Sequence, residues 1–318
     1  MKKLNFVVVI DRFDYGSGGN NIMHKLAKYL HEMGENVYTF GSGEDNYNYK
    51  VLDIEGYDPK YSTLLDINES TKILTKLDPD TTVFIPWGSF PYTKWLNNYG
   101  KVARWVMYYD IDIDHSEHDL VFFQQSSYNT RNEPFDGIMN IFDIDHDFWV
   151  PSTDVKEYNS FLYRKAAWNI KNYRSRGLMK LNAFSRYVDN KPQMNIDYIA
   201  GVGLKINENI DDYMQELRSI YQKSDYFICF DDITGHSLMA ALCGAKTIVI
   251  PGYLKNLDKN SYKEKFDFFK YGIAYGLEDL NHIELTKDKL RPHMIELKNK
   301  SFEDVRNFVN ICYSRFTK

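Results

Sequence analysis

The residues best suited to chemistry lie in "SDYFICFDDITGHSLMAALCGAKTIVIPG", Ser224 to Gly252. An apolar run ends at Asp231 and Asp232. Thr234, Gly235, His236 and Ser237 then lead straight into a short apolar helix, which Gly244 ends before the next apolar run. The first turn of a helix carries N–H groups without intrahelical partners and a partial positive charge, which suits a phosphate. A glycine at 235 lets a ligand approach the main chain. The plain alternative is a strand–turn–helix with Thr234 or Ser237 as N-cap. A second cluster, Lys165, Lys171, Arg174 and Arg176, crowds an expected strand end in an otherwise acidic chain. Arginine suits bidentate contact with phosphate oxygens, and lysine supplies a point charge. A third stretch, Gly16, Ser17, Gly18 and Gly19, follows the first apolar run, and Ser17 and Asn20 offer hydrogen bonds to a sugar or phosphate. It falls short of the dinucleotide fingerprint G-x-G-x-x-G, because Asn21 stands where the third glycine belongs.

The elements that must position these residues follow a regular alternation. Leu4–Ile10 is a continuous apolar run, as expected of a parallel strand buried on both faces. Ile22, Met23, Leu26, Ala27, Leu30 and Met33 then recur at helical spacing, and Gly34 ends that helix. "NVYTF", "TTVFIPW", "VARWVMYY" and "DLVFFQQ" read as further strands. The pattern breaks near Trp149–Ser160, which reads as a linker. A second series then follows, with "AAWNI", "NIDYIAG", "YFICF", "KTIVI" and "YGIAYG" as strands. Between the second and third of these, Ile210, Tyr213, Leu217, Ile220 and Tyr221 make a helical stripe. The chain closes with a helix whose start resembles a capping box, Ser301 with Asp304, and whose apolar face is Phe302, Val305, Phe308, Val309 and Cys312. Strands alternating with helices imply an α/β fold of two Rossmann-like, doubly wound parallel-sheet domains facing a cleft. The expected boundaries are residues 1–150 and 151–300, with a helix over 301–318 that can pack back on the N-terminal domain. Ligands of open α/β sheets sit at the carboxyl ends of the strands, so such a cleft holds two ligands face to face.

Composition narrows the partners. The chain has 318 residues, more than a typical single domain, and 39 basic against 44 acidic side chains leave a net charge of -5. That balance argues against nucleic acid as the default partner and leaves a local basic patch open. Cys229, Cys243 and Cys312 share no C-x-x-C spacing and stand in apolar contexts. They read as buried reduced thiols, which points to a reducing, cytoplasmic setting. "MKKLNFVVVI" reads as a first strand rather than a signal peptide, and no stretch of about 20 apolar residues suggests a transmembrane segment. His24, one turn into the first helix, reads as a packing residue.

The strand, the acidic turn, G-x-S-L and "AALCGAKTIVIPG" resemble the donor-site segment of nucleotide-sugar glycosyltransferases of the GT-B fold, in particular the family 4-like (group 1) enzymes. Those retaining families carry a Glu-x7-Glu motif before a small-residue helix, a glycine and a strand. On this chain the first acidic position falls on Asp231, a conservative change. The second falls on Met239, which cannot hold ribose hydroxyls as the family's second Glu does. Three more segments match in order. "GSGGNNIMHKLAKYLHEMGENVYTFG" is similar to the family's N-terminal loop, helix and strand. "IMNIFDIDHDFWVP" is similar to its passage into the second domain. "AAWNIKNYRSRG" is similar to the first donor-domain strand with its diphosphate-gripping basic residues.

The resemblance implies transfer of one sugar from a nucleoside-diphosphate sugar to a hydroxyl of a glycan or small-molecule acceptor, as in polysaccharide biosynthesis. The departing nucleoside diphosphate carries about two to three negative charges, and stabilising it is the main electrostatic demand. The expected donor-binding residues are Gly16, Ser17, Gly18, Gly19, Lys171, Arg174, Arg176, Asp232, Thr234, Gly235, His236 and Ser237, with no bound metal and no cofactor. "DIDIDHSEHD", Asp110 to Asp119, is the one tempting metal cluster and reads as a solvated loop. If the reaction inverts the anomeric centre, Asp110 or Asp112 is placed to serve as general base, with His115 following. Asp231 is the other carboxylate assigned to the reacting sugar. "PWGSFPYTKW", Pro86 to Trp95, offers aromatic faces for an acceptor sugar. Two rival readings stay open: a phage-type transferase acting on hydroxymethylated DNA bases, and a non-catalytic sugar- or nucleotide-binding protein.

Overall fold

The computed structural model describes residues 2–10, 18–41, 77–86, 93–107, 113, 119–129, 131–142, 144–162, 191–195, 210–250 and 258–317. The chain divides into two compact units, Met1–Asp143 with Lys298–Lys318, and Ile144–Leu297. The strands are β1 (Asn5–Ile10), β2 (Asn36–Gly41), β3 (Thr82–Pro86), β4 (Lys101–Val106), β5 (Leu120–Phe123), β6 (Gly137–Ile138), β7 (Tyr158–Leu162), β8 (Gln193–Asn195), β9 (Ser224–Cys229), β10 (Lys246–Val249) and β11 (Ile273–Tyr275). The α-helices are α1 (Gly18–Glu32), α2 (Thr93–Leu96), α3 (Ile210–Lys223), α4 (Gly235–Leu242), α5 (Lys259–Lys265) and α6 (Leu280–Phe316).

The first unit is built on a six-stranded sheet in the order β2-β1-β3-β4-β5-β6. Its ladders are parallel throughout, with Val7 opposite both Tyr38 and Phe84. Side chains of a strand alternate between faces, and β1 supplies a core to each. Phe6, Val8 and Ile10 join Met23, Leu26 and Leu30 of α1, while Val7 and Val9 join Phe84, Leu96 and Val102 on the other side. Burial on both faces explains why β1 reads as an unbroken apolar run. Gly34, at φ 78°, closes α1. Its N–H donates to His31 O and that of Glu35 to Leu30 O, a Schellman arrangement that needs a left-handed residue.

His24 is buried on α1, and that burial lowers its pKa from 6.5 to about 4. The unfolded chain therefore binds a proton below pH 6.5 that the folded chain refuses. His24's contribution to stability is complete above that pH and is lost as pH falls toward 4. Between pH 8 and pH 5 the expected loss is about 2 kcal/mol. Urea titrations of the native protein and His24→Gln should show that difference, and identical losses in both would refute it.

The final helix differs from expectation. α6 runs unbroken for 37 residues with Pro292 inside it, so Ser301 and Asp304 do not start a helix. Both side chains turn sideways instead. Ser301 Oγ accepts from Phe142 N at 2.9 Å, and Asp304 Oδ2 accepts from Asn140 N at 3.1 Å. They satisfy amides of the segment after β6 that would otherwise be buried without partners. The apolar face read from the sequence does pack inward, with Val305, Phe308, Val309 and Cys312 in the same core as Phe6 and α1.

The second unit holds a five-stranded parallel sheet in the order β11-β10-β9-β7-β8. Its first strand, β7, begins inside the stretch that reads as a linker. Asn159 and Ser160 are polar yet fully buried there. Asn159 Oδ1 accepts from Tyr226 N at 3.3 Å, and the Ser160 and Ser224 hydroxyls lie 2.7 Å apart. "AAWNI" lies outside the described residues, and "NIDYIAG" begins on the last residue of β8. No helix among the described residues is long and apolar enough to cross a membrane.

Candidate functional site

In each sheet the chain reverses its direction of winding once, between β1 and β3 in the first unit and between β7 and β9 in the second. At such a point the connections leave the carboxyl ends of adjacent strands to opposite sides and open a crevice. The sequence-derived candidates follow these carboxyl ends in the sequence. β1 ends at Ile10, and α1 opens on Gly18 and Gly19, with Gly16 and Ser17 outside the described residues. β4 ends at Val106, ahead of Asp110 and Asp112, and β7 ends at Leu162, ahead of Lys171, Arg174 and Arg176. Those five also lie outside the described residues. Asp119, the end of the acidic stretch, accepts from Val102 N at 2.8 Å, a structural use of its carboxylate. Trp95, in the aromatic stretch, packs edge-on against Tyr99 at 5.0 Å.

The turn after β9 is described in full. Phe230 N donates to Leu162 O and Ile250 N to Cys229 O, which holds the strand end against β7 and β10. Asp231 and Asp232 are 2 % and 1 % exposed, so their carboxyl groups are packed beneath the turn rather than displayed on it. The Tyr262 hydroxyl donates to Asp232 O at 2.5 Å, and Tyr262 is itself stacked against Phe269 and Tyr275. The turn is therefore pinned from below by an aromatic layer.

Thr234 has extended backbone, φ -153° and ψ 141°, and its hydroxyl accepts from His236 N at 3.4 Å, the N-cap position of α4. Gly235 is exposed at the first helical position. A Cβ built there meets only Ile144 Cδ1 and Met239 Cε, each at 3.6 Å, an ordinary contact. Met239 stands one turn along the helix from Gly235. His236 is half-buried, and its Nδ1 lies 2.6 Å from the hydroxyl of Tyr221, which is fully buried near the end of α3.

Ser237 differs from the donor-contacting role expected of its hydroxyl. It is fully buried, and only its N–H belongs to the helix start. Burial pushes the Cys229 and Cys312 thiols well above their usual range, and Cys243 up to about 12. All three cysteines are free and buried, so none is a nucleophile at neutral pH. Among the described residues no group of three or more His, Cys, Asp or Glu is placed to hold a metal ion. Tyr221 escaped the sequence reading as a site residue, since there it is only the last member of an apolar stripe.

Two Rossmann-like parallel-sheet units, each with its crevice at the carboxyl strand ends, make up the GT-B fold. An alpha-glucosyltransferase solved with UDP and a 13-mer DNA containing a central A:G mismatch has that fold, at TM-score 0.50 and 14% identity over 99% of this chain and 100% of that one. MurG of Acinetobacter baumannii matches at TM-score 0.42 and 11% identity, covering 96% of this chain and 99% of that one. The spinosyn rhamnosyltransferase SpnG matches at 0.44 and 11%, covering 97% and 100%. No protein-family description and no curated protein matches the chain.

Proposed function

We propose that this chain is a glycosyltransferase that moves a sugar from a nucleoside-diphosphate sugar to a hydroxyl of a glycan or related acceptor, without a bound metal. The observation that carries the reading is the exposed Gly235 at the start of α4, after the carboxyl end of β9 and beside the crevice of its sheet. The N–H group of Gly235 and the helix dipole favour the departing diphosphate. Lys171, Arg174 and Arg176, which follow β7 in the sequence, supply compensating charge. Gly16, Ser17, Gly18 and Gly19, which follow β1 in the sequence, are assigned to donor binding as well. Thr234 fixes the helix start, and Asp231 and Asp232 are buried in the turn before it. Asp110 or Asp112 serves as base toward the acceptor if the reaction inverts.

Incubation with UDP-, GDP- and ADP-sugars, with free nucleotide as the readout, should give release from at least one donor. Absence of both binding and turnover in a folded sample would refute the reading. Charge removal at Arg174 or Arg176 should weaken nucleoside-diphosphate affinity.

A second reading is supported by the neighbour solved with UDP and DNA, namely transfer of glucose to a hydroxymethylated base. The net charge of -5 weighs against it. Labelled glucose appearing in modified DNA would select this reading, and no gel shift at low salt would dispose of it. Nucleotide binding without turnover across many acceptors would instead indicate a binding protein.

A further inference from the structure

The bond between Tyr221 and His236 ties the candidate phosphate site to the interior. Tyr221 is fully buried, with its ring against Trp149 at 5.8 Å and Phe227 at 5.3 Å. A phenol held on two sides by aromatic rings has little freedom beyond rotation of its O–H. That hydroxyl lies 2.6 Å from Nδ1 of His236, a short separation typical of a well-formed hydrogen bond. His236 is the second residue of α4 and follows the exposed Gly235.

A neutral imidazole carries one proton on one of two nitrogens, and the bond made by one nitrogen decides the state of the other. This matters at a phosphate, whose oxygens only accept. A protonated ring nitrogen facing them adds a hydrogen bond, whereas a bare nitrogen sets one acceptor against another. The tautomer of His236 thus decides whether its side chain helps or hinders an anion at the helix start.

We propose that Tyr221 is a positioning residue for donor phosphate binding: its buried hydroxyl donates to Nδ1 of His236 and keeps the ring proton on Nε2, which donates to a phosphate oxygen beside the Gly235 amide. The proposal rests on the reading of the β9–α4 turn as the diphosphate site. Tyr221 touches no substrate and acts only through the imidazole. The division of labour suits the fold, since α3 fixes the ring from inside while α4 presents it.

Three measurements test this. Nitrogen-15 spectra of the histidine rings at about pH 8, where an ordinary imidazole is neutral, should show His236 Nδ1 as a bare acceptor and Nε2 protonated. Assignment comes from loss of the signals in His236→Gln. A proton found on Nδ1 in the native protein overturns the proposal without any Tyr221 variant. Second, calorimetry with UDP, GDP and ADP should show Tyr221→Phe weakening the nucleotide that binds by roughly 3- to 10-fold, the scale of one hydrogen bond. Phenylalanine keeps the ring that packs on Trp149 and Phe227. Third, in a His236→Gln background the same change should alter affinity less than about twofold, because the coupling has been removed. Equal losses in both backgrounds, or native-like affinity of Tyr221→Phe, overturn the role of Tyr221 while leaving the phosphate site standing. If the native protein itself binds none of the three nucleotides, the site and this proposal fall together.

Discussion

Gly235→Val should lower the affinity for a nucleoside diphosphate at least about a hundredfold, equivalent to about 2.7 kcal/mol, while leaving the thermal midpoint nearly unchanged. The argument turns on why a glycine stands there. Positive φ occurs at Gly34, Gly244, Gly272 and Gly276, and not at Gly235, so the backbone does not require it. Among the described residues a Cβ at 235 meets nothing closer than 3.6 Å, so packing does not require it either. A glycine inside a helix is instead a mild liability of roughly 0.5–1 kcal/mol relative to alanine. Among the described residues, what remains is room for a ligand. A valine side chain would fill that room and hold an anion away from the first-turn amides, where the field of the helix end is strongest. Gly235→Ala should be at least as stable as the native protein and bind nucleotide with intermediate affinity. Melting curves and calorimetry with UDP, GDP and ADP check both arms. Undiminished binding by the valine variant would move the phosphate elsewhere, and a collapse of stability would make the glycine structural.

The turn between β9 and α4 was legible because its signal is local. A buried strand, an acidic turn, a capping threonine, a glycine and a small-residue helix are contiguous between Ser224 and Leu242, and each follows from short-range rules. The parallel strands were legible for a related reason: burial on both faces leaves runs such as Phe6–Ile10 with no polar interruption. The failures are all long-range. β7 stayed hidden because the buried Asn159 and Ser160 hydrogen-bond to Tyr226 and Ser224, more than sixty residues away. Ser301 and Asp304 carry the spacing of a helix start, yet their partners are amides at 142 and 140. Likewise Tyr221 meets His236 across two elements, and the Tyr262 hydroxyl reaches back thirty residues to Asp232. Ser237 shows the reverse error. Its position was right for a helix start, but periodicity turned its side chain inward.

The same long-range logic makes the end of the chain part of the first unit's core rather than a trailing appendage. Phe308, near the end of α6, is buried against Phe122 at 4.9 Å and Phe6 at 5.9 Å, so one ring joins residues from both ends of the sequence. Phe308→Ala should cost about 3–5 kcal/mol, the sum of lost transfer energy and the cavity left under a sheet that cannot collapse onto it. For a unit of this size the midpoint should fall by the order of 10 °C. The loss should be uneven. Val8 and Ile10 share that ring's core, whereas Ile228, Ile248 and Ala274 belong to the other unit's core and do not. Hydrogen exchange should therefore quicken in β1, β4, β5 and α1 while β9 and β10 keep their protection. If protection fell equally in both sheets, the two units would unfold as one. If it fell in neither, α6 would contribute no packing energy to the sheet it covers.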